Sequence, residues 1–201
     1  MAEFLTTLDE LTSLYGTPAD AAMIKVANRL TDVYRRWIMA SKFCVISTVG
    51  PEGTDASPRG DITPVVQELD QHTLLLPDWH GNNRLDTLRN IIRDPRMSLM
   101  FMVPGSHNVI RINGKAKITA DAEILKRFEN RGAVPRSVIV VHIEEVYFQC
   151  ARALMRANLW SGDDESLGLP TPGDILKSAK SDFDGKTYEA EWLERAQATL
   201  W

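Results

Sequence analysis

A chain of 201 residues, 44% hydrophobic and 25% charged, has the length and composition of one filled globular domain. Its net charge of −4 excludes a general polyanion binder, because no surplus of Lys and Arg exists to neutralise a nucleic-acid backbone; a small anionic ligand needs only a local positive cluster. Two cysteines are too few for a disulfide scaffold, and no apolar run approaches the roughly 20 residues of a spanning helix.

The N-terminal MAEFLTTLDELTSLYG carries acidic residues and no basic stretch ahead of an apolar one, so no signal peptide and a soluble, cytoplasmic protein are expected. Residues 1–40 read as a helical cap. A first helix follows Thr7 and ends at Gly16. A second starts at Pro18, a favoured first helical position, with Met23, Val26, Leu30, Val33 and Trp37 on one apolar face.

From Phe43 the period changes. Residues 43–49 form a β-branched run closed by Gly50-Pro51-Glu52-Gly53, and Thr54 to Arg59 is short and polar. Val65 to Leu69 and Thr73 to Leu76 read as strands around an Asp70-Gln71 turn, and Arg96 to Val103 as another. Val109 to Thr119 alternates until Gly114, where a bulge or a close backbone approach is expected. Ser137 to Phe148 is the last long strand. Helices are expected over Arg84 to Arg93, with Leu85, Leu88 and Ile92 on its apolar face, and over Asp121 to Asn130, with Asp121 as N-cap. About six strands with few intervening helices predict a β-rich α+β fold: an antiparallel barrel or sandwich over 41–160, not a βαβ fold. A polar, turn-rich stretch and an amphipathic segment around Trp192, Leu193 and Leu200 then make 161–201 an extension, not a second domain. Cys44 and Cys150 read as buried free thiols, and His142 as a packed or edge histidine. Glu144 and Glu145 are neighbours in a strand and so are expected on opposite faces.

Three segments carry candidate chemistry. In LLLPDWHGNNRLDTLRNIIRDP a strand crosses a loop and enters a helix at Asn82-Asn83-Arg84, where backbone N–H groups, amide donors and a guanidinium suit a phosphate. The same residues are open to a plainer role, Asn83 as a cap and Arg84 as a solvated charge. In Ala56-Ser57-Pro58-Arg59-Gly60-Asp61 a hydroxyl, an Arg and a glycine meet, either as a ligand contact or as a turn with an Arg59–Asp61 ion pair. Arg152 and Arg156, four apart, share a face if helical, with Trp160 close behind; they could reach a ligand on a partner subunit or make an ordinary surface turn. The four histidines show no metal-ligand spacing, and no metal site is expected. No nucleophile-elbow, P-loop or dinucleotide fingerprint occurs.

In order, FCVISTVGPEGTDASPRGD, TLLLPDWHGNNRLDTLRNIIRDPRMSLMFMVPG, VIRINGKAKIT and HIEEVYFQCARALMRANLW resemble the pyridoxamine 5'-phosphate oxidase-like flavoproteins over about Ala40 to Trp160, and a bacterial subfamily of unassigned function more than the oxidase itself. The resemblance implies a split barrel with FMN at a homodimer interface. It implies that Arg59 and Asn82, Asn83 and Arg84 bind the phosphate and ribityl chain. Ser57, Gly60, Asp61, Pro77 and Asp78 would line the flavin ring, Arg111 would reach it from its strand, and Arg152 and Trp160 would come from the other subunit. The oxidase proper ends in an "RL-P" element that holds pyridoxamine phosphate; here the ending is EAEWLERAQATLW, so the substrate is expected to differ. The resulting expectation is an FMN-dependent oxidoreductase acting on a small molecule. A non-catalytic flavin, haem or deazaflavin carrier or sensor on the same barrel is the alternative, and a ligand-free dimerisation barrel is weaker because of the Asn-Asn-Arg cluster.

Overall fold

The computed structural model describes residues 2–198. Its centre is one antiparallel sheet of seven strands: β1 (Phe43–Gly50), β2 (Gly53–Gly60), β3 (Gln67–Asp70), β4 (Thr73–Asp78), β5 (Arg96–Met102), β6 (Val109–Thr119) and β7 (Ser137–Gln149). They are ordered β2-β1-β5-β6-β7-β4-β3, so the sheet has two free edges and does not close by hydrogen bonds. It curls into a split barrel, with Cys44, Ile46, Leu99, Phe101, Ile112 and Val141 among the side chains packed inside. On the far side of β4 and β7, Leu75 and Val138 pack with Phe128 in a smaller cluster.

The strand beyond the six read from sequence is β2. It pairs with β1 residue for residue from Gly50↔Gly53 to Phe43↔Gly60. It has no apolar alternation because it is an edge strand, and its inward row is Asp55, Ser57 and Arg59, which faces a cavity rather than the core.

The sequence reads 18–37 as one helix, but the chain forms two short ones, α2 (Asp20–Ile24) and α3 (Asp32–Ile38). Between them Ala27 exchanges backbone hydrogen bonds with Val146, at 3.0 and 2.7 Å, and Leu30 N–H donates to Gln71 O. Sheet edge thus replaces helical i→i−4 bonding, and Thr31 caps a new start. Pro18 lies ahead of α2, whose N-cap is Ala19. Leu30 and Ile38 enter the core, whereas Met23 and Val33 stay exposed. Before them, α1 (Leu8–Tyr15) carries a capping box from Thr7 to Glu10 and stops at Gly16, φ 71°, as expected; it buries no side chain.

Helix α4 (Asp86–Arg93) starts two residues later than expected and presents Thr87, Asn90 and Ile91 inward, while Ile92 is exposed. Its buried face is partly polar: Asn90 Nδ2 donates to Thr48 Oγ1 at 3.1 Å and Thr87 Oγ1 donates to Asp55 Oδ2. Helix α5 (Ala122–Lys126) has Asp121 as N-cap, accepting from the backbone of Glu123 and Ile124.

A bulge between Asn113 and Gly114 interrupts β6/β7, and a Cβ on Gly114 would lie 2.0 Å from His142 O, so both roles expected of this glycine coincide. The bulge overturns the expectation for Glu144 and Glu145. Glu144 is the extra residue, so Ile143 and Val146 both point inward and the two glutamates are both exposed, one paired with Lys115 and the other accepting from Asn113. Cys44 is buried, but Cys150 is exposed, because β7 ends at Gln149 and the thiol sits in the following turn.

Helix α6 (Arg152–Arg156) follows β7, then α7 (Pro172–Ala179), α8 (Gly185–Ala190) and α9 (Trp192–Ala198). Trp192 and Leu193 lie in α9, and both are exposed; Leu200 lies outside the described residues. No helix among the described residues is long and apolar enough to cross a membrane.

Candidate functional site

The split of the barrel opens into a cavity of about 1040 Å³. One wall is the inward row of β2, with Asp55, Ser57 and Arg59. The opposite wall is the end of β4, with Pro77 and Asp78, and the loop from Trp79 to Leu85 that leads into α4. Arg136 and Ser137, where β7 begins, complete the rim.

Nine of the twelve residues nominated from sequence line this cavity: Ser57, Arg59, Gly60, Asp61, Pro77, Asp78, Asn82, Asn83 and Arg84. Arg111, Arg152 and Trp160 lie elsewhere on the chain. The Arg111 guanidinium sits over the Tyr147 ring at 5.3 Å, Arg152 is exposed at the start of α6, and Trp160 Nε1 donates to Ser106 O at 2.8 Å.

Arg59 pairs across the split with Asp78, not with Asp61. Asp61 accepts from Trp79 Nε1 at 3.3 Å and from the Thr63 backbone at 3.2 Å. The Nε of Arg59 is buried with no hydrogen-bond partner, which leaves a cationic donor unsatisfied at the cavity wall.

Asn82-Asn83-Arg84 does not open the helix. Leu85 precedes α4 in a left-handed conformation (φ 62°), and no side chain caps the helix. The three residues form a loop instead, with Asn83 also left-handed at φ 60°. Two such residues within three positions hold strain in the loop, a feature that concentrates at ligand sites. Asn82 Oδ1 accepts the Arg84 N–H at 3.0 Å, and Arg84 pairs with the neighbouring Asp86 while remaining largely solvent-exposed. An anion at these residues would meet side-chain donors on a loop and not a helix terminus.

Sequence reasoning does not nominate Arg136, His80, Trp79, Asp55 or Thr87. Arg136 Nη1 donates to Asn83 Oδ1 at 2.8 Å, and its Nη2 lies 3.0 Å from His80 Nδ1. Nothing local in Val134-Pro135-Arg136-Ser137 signals this role, since it depends on β7 pairing with β4 so that Ser137 faces Asp78. Asp55 did have a signal, its two-residue spacing from Ser57 and Arg59.

Three arginines and His80 thus face four aspartates, of which Asp78 and Asp86 are held by Arg59 and Arg84, Asp61 by Trp79 and Thr63, and Asp55 by Thr87. Among the described residues no carboxylate makes an ion pair with Arg136. The cavity offers fixed cationic donors on two walls, a size suited to a cofactor or small ligand, and aromatic surface at Trp79.

Comparison with known proteins finds no match among curated sequences. Among solved structures, HupZ of Group A Streptococcus is similar, at 20% identity over 58% of this chain and 91% of that one, with a TM-score of 0.47. General Stress Protein 26 of Bacillus anthracis is 16% identical over 57% of this chain and 88% of that one (TM-score 0.43). A protein named F420 reductase is 15% identical over 60% and 98% respectively (TM-score 0.42). A family model described as pyridoxamine 5'-phosphate oxidase matches residues 30–150. That span takes in every strand of the split barrel and the whole lining of the cavity, and the chain belongs to the pyridoxamine 5'-phosphate oxidase family.

Proposed function

We propose that this protein is a cytoplasmic FMN-binding flavoprotein, an oxidoreductase that uses FMN at a homodimer interface on a small-molecule substrate. The observation that carries the proposal is the meeting of Arg59, Asn82, Asn83 and Arg84 in one cavity, although they come from β2 and from the loop after β4, two strands far apart in the sheet order.

The residues fit such a ligand. The unsatisfied Nε of Arg59 needs an acceptor, which a phosphate or ribityl oxygen supplies. Asn82, with its oxygen committed to the Arg84 backbone, presents its NH₂ as donor, and the exposed Arg84 guanidinium can exchange Asp86 for a phosphate. Pro77 and Trp79 give flat apolar surface beside these donors, where a ring system packs. When bound, FMN supplies the hydride and electron transfer for which the protein has no side chain. The chain's own share is to hold the phosphate, orient the ring and exclude water.

The dimer is supported by the outward face of β1 and β5. Phe43 and Met100 remain exposed there, across from Met102 and Val45 in the ladder. In this reading Arg152 and Trp160, which stand away from the chain's own cavity, serve the cavity of the partner. A buried and an exposed cysteine, both free, suit a reducing compartment.

The deciding experiment is the absorption spectrum of the purified protein, with identification by mass of what denaturation releases, alongside its mass in solution by light scattering. A flavin spectrum, released FMN and a dimer are expected. A Soret band or a released deazaflavin replaces the cofactor assignment, and colourless protein that takes up no added FMN removes it.

A further inference from the structure

The side chain of Arg136 reaches the loop after β4 at two points. Nη1 donates to Asn83 Oδ1 at 2.8 Å, and Nη2 contacts His80 Nδ1 at 3.0 Å. Its backbone N–H donates to Asp78 O at 3.1 Å, which fixes the residue at the root of the same loop. A guanidinium carries five donors and no acceptor, so whatever it bonds must turn an acceptor toward it. Asn83 is therefore held with its oxygen toward Arg136, and its remaining polar group is the NH₂ donor. His80 accepts at Nδ1, so its proton resides on Nε2, again a donor. Asn82 reaches the same state independently, through its bond from the Arg84 N–H.

We propose that Arg136 is a positioning residue that sets the donor polarity of the 80–84 loop, and so makes the cavity selective for a phosphomonoester over its unphosphorylated counterpart. This rests on the flavin reading above and deepens it by naming a determinant of phosphate specificity. A phosphate dianion only accepts hydrogen bonds, so a carbonyl oxygen turned toward it exchanges an attraction for a repulsion. An unrestrained amide can present either end. Arg136 removes that freedom at Asn83 and fixes the tautomer at His80, and its charge has no carboxylate partner among the described residues.

The test is a titration of FMN and of riboflavin, followed by flavin fluorescence. The proteins are the wild type, Arg136→Ala, Arg136→Lys, His80→Ala/Asn83→Ala and the triple variant. Tighter binding of FMN than of riboflavin by the wild type supports the reading of the cavity; no preference overturns that reading and this inference together. With the preference present, Arg136→Ala weakens FMN about tenfold, the value of one well-made hydrogen bond, and riboflavin by no more than about twofold. In the His80→Ala/Asn83→Ala background the same substitution costs only about twofold more, because the groups it orients are gone. Equal losses of FMN and riboflavin make Arg136 a structural residue. Full additivity makes it a direct ligand, and full affinity in Arg136→Lys makes it only a charge. Each of these three results overturns the proposal.

Discussion

Arg59 and Asp78 form an ion pair between strands that stand near opposite ends of the sheet, β2 first in the ladder order and β4 last but one. Backbone pairing runs the long way round between them, through β1, β5, β6 and β7. Across the short way, the split of the barrel, this ion pair joins the two walls.

Removing one partner strands the other in a half-closed, poorly hydrated place, since the two side chains are only 20% and 12% exposed. Arg59→Met should cost about 2–4 kcal/mol in urea unfolding, near the lower end for breaking a buried pair. Arg59→Met/Asp78→Leu should recover part of that loss, because it leaves no isolated charge. A double variant no more stable than the single one would show that the pair contributes nothing beyond its packing.

Gly114→Ala places a methyl group 2.0 Å from a backbone oxygen, that of His142, which cannot move without breaking the β6/β7 ladder. A loss of more than about 3 kcal/mol, or failure to fold, is expected. Gly81→Ala is the control: a Cβ there meets nothing within 4 Å, so thermal unfolding should change little. Similar Tm values for the two variants would contradict the close approach.

Asn90 ties α4 to the barrel. Its amide donates to Thr48, and its oxygen lies so close to Gly50 that a Cβ there would come within 2.2 Å. Asn90→Ala leaves the buried Thr48 hydroxyl without its donor and should cost about 1–3 kcal/mol. Hydrogen exchange should then rise in α4 before it rises in β1.

The two thiols should react very differently. Burial pushes Cys44 up to about 12, so it stays a protonated thiol throughout the neutral range. Cys150 is exposed and shifted down, first by the Arg152 backbone N–H donating to its sulfur, then by the nearby positive charge of Arg152. A lowered pKa puts more thiolate present at any given neutral pH, so alkylation of native protein should modify Cys150 alone. The pH midpoint of its rate should fall below 9.0, the ordinary thiol value. A Cys150→Ser variant should take up no reagent until it unfolds.

What could be read from sequence follows from how local each signal is. Strands with apolar alternation, the α1 boundaries, the Asp121 cap and the exceptional character of Gly114 are written in neighbouring residues, and the structure carries all of them. The break between α2 and α3 is not local, since Ala27 leaves the helix to meet Val146, more than a hundred residues away. The β2 strand hides because its inward residues are polar. At the cavity, Arg59 and the Asn82-Asn83-Arg84 loop announce themselves by residue type. Arg136 is brought there only by the pairing of β7 with β4, and no sequence pattern around it records that.

The bulge opposite Gly114 has one more effect. Before it, β7 sends Ile139, Val141 and Ile143 into the core; after it, Val146. The parity of the strand changes at Glu144, and the inward set passes from odd positions to even ones. Deleting Glu144 would bring Ile143 and Val146 back to a two-residue spacing and leave every core side chain facing the way it does now. Deleting a residue from 139–142 would rotate the upstream half of the strand by a face. Between Ile139 and Val146, the bulge is where a homologue could be one residue shorter and keep the same interior.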